Sequence, residues 1–144
     1  MKEQNYSNHR RYIPGFHFVL LFLGILALVG SIFFLVKSYI HGIERVASVV
    51  AFLGALNFMI LYFYSRDFAT TVQDRAIRAE ENLRYFTLTG NLLDPRLTMS
   101  QIVALRFAPD LELVGLVNRA ISENLSNDDI KKAIQNWKPD FDRA

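Results

Sequence analysis

The 144-residue chain contains no cysteine. Disulfides, thiol nucleophiles and cysteine metal sites are therefore excluded. Histidine occurs three times, at His9, His17 and His41, and no acid or cysteine completes a metal-ligand spacing such as H-E-x-x-H around them. The serines lack a neighbouring base and a G-x-S-x-G turn, and no glycine-rich loop is placed to cradle a phosphate. These absences leave no reaction chemistry in view, and the chain reads as a non-enzyme without a cofactor.

Charge is missing in two places. Neither Ile13–Val36 nor Val46–Ser65 holds an Asp, Glu, Lys or Arg. Each run can cross the hydrocarbon core of a bilayer, roughly 30 Å or about 20 helical residues. A signal peptide's apolar region is shorter and ends in a small-x-small cleavage site, which the stretch after Val36 does not offer. The first run is expected to be a retained signal anchor. The ionic residues gather elsewhere: residues 66–144 carry eleven Lys or Arg and twelve Asp or Glu, against five and two in residues 1–65. The basic excess sits beside the apolar runs, which points to lipid headgroups and topology signals rather than to nucleic acid.

The pattern predicts an all-α protein: a two-span transmembrane hairpin, a second helix extended into the cytoplasm, and a C-terminal module of three short helices. Residues 1–15 form an N-terminal cytoplasmic arm. Residues 16–65 form the hairpin, with spans at about 16–39 and 45–65. Residues 66–90 continue the second span as a cytoplasmic helix, and residues 91–144 form the small helical module. Lys2, Arg10, Arg11, Arg66, Arg75, Arg78 and Arg84 flank one side, and only Lys37 and Arg45 border the short loop. The positive-inside rule then puts both termini in the cytoplasm, in a multi-pass protein of the inner membrane.

Small residues recur at helical spacing, at Ala27 and Ser31 beside Gly30, and at Ala47, Ala51 and Ala55 beside Gly54. They either close the hairpin or meet another subunit. Asn57 is the strongly polar residue well inside a span. Its expected partner is Ser31 or a carbonyl across the hairpin, with a transport or oligomerisation contact as the alternative.

In the cytoplasmic half, Phe68, Val72, Ala76, Ala79, Leu83 and Phe86 fall on one helical face. That stripe needs a cover, either the last 50 or so residues, another copy, or a different protein. Gly90 is a stop signal. Thr98 with Gln101 has capping-box spacing and opens a helix over Met99 to Phe107. Pro109 to about Asn124 forms the next helix, and Asn127 to Trp137 the last, opened by Ser126 and ended by Pro139.

Four strings, Gln4–Pro14 (QNYSNHRRYIP), Phe68–Glu80 (FATTVQDRAIRAE), Gln101–Pro109 (QIVALRFAP) and Ile130–Pro139 (IKKAIQNWKP), resemble an uncharacterised bacterial membrane-protein family, a domain of unknown function. The resemblance implies two spans and a helical cytoplasmic tail, and brings no substrate, cofactor or catalytic residue. It suggests which polar positions to follow as interaction candidates. Asn5, Tyr6, His9 and Arg11 on the arm are expected to dock against Gln73, Asp74 and Arg75 on the long helix. With Asn57 these are the candidate binding residues. The expected partners are membrane lipids and either an unidentified protein or a second copy of the chain. The function expected is a small subunit or adaptor for protein–protein interaction at the membrane. An oligomeric transporter or channel component is the alternative, and an enzyme acting on lipid at the cytoplasmic interface a third reading.

Overall fold

The computed structural model describes residues 3–9 and 12–140. Helices are the regular elements of its described residues, with no strand among them. A π-helical turn, Gly15–Leu20, runs into α1 (Leu21–His41). Then come α2 (Arg45–Thr89), α3 (Met99–Leu105), α4 (Asp110–Ser122) and α5 (Asn127–Ala133). The chain divides into two compact units, Tyr12–Phe68 on one hand and Met1–Arg11 with Ala69–Ala144 on the other. The division falls inside α2, which has no Pro or Gly between Gly54 and Gly90 to interrupt it.

Two helices, Gly15–His41 and Arg45–Thr89, are long and apolar enough to cross a membrane. Within their unit, the Phe16 ring stacks on Tyr62 with centroids 4.7 Å apart, and Gly24 faces Phe58 and Met59, where a Cβ would lie 2.8 Å from the methionine sulfur. A side chain at Gly24 would make Met59 and the Phe58 ring shift. The buried small residues of α1 are Gly24, Ser31 and Ser38, seven apart, and Ser48 is buried on α2. Ala27, Gly30, Ala47, Ala51 and Gly54 are exposed. The packed stripe therefore follows a seven-residue repeat rather than the four-residue spacing of the alanines. α1 ends where Gly42 turns left-handed at φ 74°, and its amide caps the Ser38 carbonyl at 2.9 Å. Ser38 Oγ also donates to the Ile43 carbonyl.

The other unit is built round a core of Ile77, Leu97, Ile102, Leu105, Phe107, Leu113, Val117 and Ile130. Local signals set its helices. Gly90 adopts φ 74° and its amide closes on Phe86 O, an αL stop. Thr98 and Gln101 form both bonds of a capping box, and the Ser126 side chain accepts from the Asp129 amide. Three boundaries differ from expectation. α3 ends at Leu105, because Phe107 and Ala108 turn back with short-range bonds to Ala104 and Leu105. Pro109 is the extended cap of α4 rather than its first residue. α5 stops at Ala133 instead of reaching Trp137. There the Glu112 carboxylate accepts the Gln135 and Asn136 amides at 2.9 and 3.0 Å and draws the chain out of the helix. Burial alone would raise the Glu112 pKa, but these bonds outweigh it and hold the carboxyl below its ordinary value.

Ile130 is fully buried and Leu111 is 98% exposed. Ile130→Ala should cost about 2–5 kcal/mol in denaturant unfolding of the detergent-solubilised chain. Leu111→Ala should stay within about 0.5 kcal/mol.

Candidate interaction surface

Between Ala69 and Thr89, α2 presents two opposite faces. One carries Ile77 and Glu81, each 6% exposed, with Arg84 and Tyr85 half-buried beside them. This face meets Asp110 of α4, the Ala108 carbonyl and the chain after α5. Arg84 is its clamp. Its guanidinium lies 3.1 Å from Glu81 and 2.6 Å from Asp110, and donates to the Ala108 carbonyl at 2.7 Å. Asp110 sits in the first turn of α4, where a carboxylate also favours the helix dipole. The Asn82 side chain accepts the Leu93 amide at 3.1 Å. The opposite face is open: Val72 is 68%, Leu83 65% and Phe86 50% exposed, and Ala79 and Ala76 are exposed with them, Ala76 at the edge of the cavity beside the packed face. The segments after α2 contact it through this polar and mixed face. They leave the apolar stripe uncovered.

A cavity of about 160 Å³ opens beside the packed face, lined by Gln73, Glu80, Glu81, Arg106, Lys138 and Asp140 among others. Arg106 pairs with Asp140 at 3.2 Å and lies over the Phe107 ring at 4.7 Å. Burial raises the Glu81 pKa above its ordinary value of 4.5, against the pull of Arg84. Among the described residues, no group of three or more His, Asp or Glu is arranged to hold a metal ion.

The N-terminal arm sits on the C-terminal helices. Its His9 ring is 5.9 Å from Phe107 and 5.8 Å from Trp137. His9 Nδ1 donates to the Tyr6 carbonyl at 2.6 Å, which leaves Nε2 to accept from Lys131 Nζ at 3.3 Å. Tyr6 stacks on His9 and receives Lys132 over its ring. The Gln4 side chain accepts the Asp140 amide at 2.7 Å. Asn5 organises a local turn with Ser7 and Asn8. His9 thus packs on Phe107 and Trp137 rather than on the long helix, because the two rings offer it an aromatic surface that no local pattern announces. Arg11 lies outside the described residues. Of the helix candidates, Gln73 lines the cavity, while Asp74 and Arg75 border a separate depression with Thr71, Arg78 and Met99. Asn57 is exposed. Ser31, one of its two expected kinds of partner, donates its Oγ to Leu28 O of its own helix at 2.8 Å.

The whole chain, residues 1–144, matches the model of a family of unknown function, DUF6526. The chain belongs to this family. Neither a curated protein nor a solved structure matches it. The family description assigns no chemistry to the surface.

Because the fold favours the protonated Glu81, this group adds stability in acid, and that contribution is lost as pH rises through its raised pKa. Glu81→Gln stays neutral at every pH. Its unfolding midpoint should therefore gain on the wild type progressively as pH rises from 4.5 toward neutrality. A gap that stays constant or narrows contradicts the assignment.

Proposed function

We propose that this protein is a non-catalytic membrane subunit or adaptor that holds a protein partner at the bilayer. In this reading the helices Gly15–His41 and Arg45–Thr89 form a transmembrane hairpin, with lipid around residues 16–39 and 45–65. Their outward side chains support it: Phe22, Leu26, Val29 and Phe33 on α1 and Val50, Leu53 and Leu61 on α2 are all exposed. In water such a surface would be an aggregation hazard, since patches on soluble monomers rarely exceed a few hundred Å². The seven-to-two bias of flanking Lys and Arg supports cytoplasmic termini in a bacterial inner membrane.

The observation that carries the interaction reading is the bare stripe of Val72, Leu83 and Phe86. It lies beyond the uncharged run, where the helix also carries Arg66, Asp67, Asp74, Arg75, Arg78, Glu80 and Glu81. Such an ionic segment belongs in water, and an apolar face in water calls for a protein cover. Asn57 favours assembly as well. An exposed amide inside an apolar span gains a hydrogen bond, about 0.6 kcal/mol on average, when another polar group is brought to it. An oligomeric transporter or channel component would use that same contact.

A photoreactive residue at Leu83, in the full-length chain in native membranes, should give a protein adduct on illumination. The same probe at Arg119, on the exposed side of α4, should give much less. Adducts to lipid alone at Leu83, or none, would contradict the interaction reading.

A further inference from the structure

The bare face of α2 has a finer pattern than apolarity. Ala69, Val72, Ala76, Ala79, Leu83 and Phe86 follow one another at steps of three, four, three, four and three, and all six are exposed. This is the three-and-four spacing that a coiled-coil seam uses, and it runs about 27 Å at 1.5 Å per residue. The alanines let a second backbone come close, and Leu83 and Phe86 supply the larger side chains. The seam is free to pair because the C-terminal helices hold the other side. Glu81, at the centre of the packed face, lies two residues from both Ala79 and Leu83, about 200° round the helix.

The charges beside the seam select the occupant. Arg75 immediately precedes the seam residue Ala76, and Glu80 immediately follows the seam residue Ala79. Both are exposed. In a parallel pair, a residue in the first position faces the residue five places later on the other helix. Arg75 of one copy then meets Glu80 of the next, and the two-fold axis repeats the contact. Copies inserted in one membrane with one orientation also present α2 in parallel. We propose that the protein pairs with a second copy of itself through this seam, α2 against α2 from Ala69 to Phe86. The proposal rests on the membrane-interaction reading above and names its partner.

The lack of native cysteine makes the test direct. Ala79→Cys, Leu83→Cys and, one residue off the seam, Arg78→Cys are introduced separately into the full-length chain and oxidised mildly in native membranes. A disulfide forms when the two Cα atoms come within about 7 Å. Ala79→Cys and Leu83→Cys should give a covalent species of twice the chain mass, and Arg78→Cys little or none. Adding Arg75→Glu to Ala79→Cys should cut the dimer about threefold, and adding Glu80→Arg as well should restore it. Equal yields at all three cysteines, or no restoration by the double exchange, would overturn the pairing. If the photoreactive group at Leu83 attaches only to a different protein, self-pairing falls while the interaction reading stands. If neither chemistry links Leu83 to any protein, both fall.

Discussion

One uninterrupted helix carries the structure. α2 runs from Arg45 to Thr89 and meets different surroundings along its length and around its circumference. Its first part, to about Ser65, is uncharged after Arg45 and presents Val50, Leu53 and Leu61 outward. Its last part must anchor the C-terminal helices while keeping its helical hydrogen bonds. It does so by dividing its sides. Ile77 enters the core, and Arg84 ties Glu81 to Asp110 and the Ala108 carbonyl.

That division has an energetic logic. Buried charges are costly unless paired and hydrogen-bonded, and Arg84 satisfies three acceptors at once. The desolvation it relieves is visible in Glu81, which burial pushes above its ordinary range despite the adjacent guanidinium. An ionic clamp of this kind fixes the rotational setting of α2 against α4. With that setting fixed, the apolar seam stays clear of the chain's own core.

Much of the architecture was legible because its signals are local. The unbroken helix through Thr89, the Gly90 stop, the Thr98–Gln101 box and the Ser126 cap each depend on residues within a few positions. The choice of face on α2 was not legible. Apolar periodicity selects Phe68, Val72, Ala76, Ala79, Leu83 and Phe86, whereas the packed face is mixed, and only the tertiary partners at Asp110 and Ala108 reveal it. The early end of α5 depends on Glu112, some twenty residues earlier in sequence. The seat of the arm depends on Phe107 and Trp137 converging from separate segments. Of the candidate residues, Tyr6 and His9 come together with those aromatics, Gln73 lines the charged cavity, and Asp74 and Arg75 share a different depression.

The account's central claim is that α2 passes from hydrocarbon into water along its own length. Single cysteines at Leu53, Leu61, Arg78 and Thr87, all exposed on the protein, place that boundary when a membrane-impermeant maleimide is applied to opened membrane vesicles. Lipid should shield Leu53→Cys and Leu61→Cys, while Arg78→Cys and Thr87→Cys react readily. Labelling of Leu53→Cys and Leu61→Cys as fast as Arg78→Cys would contradict the claim.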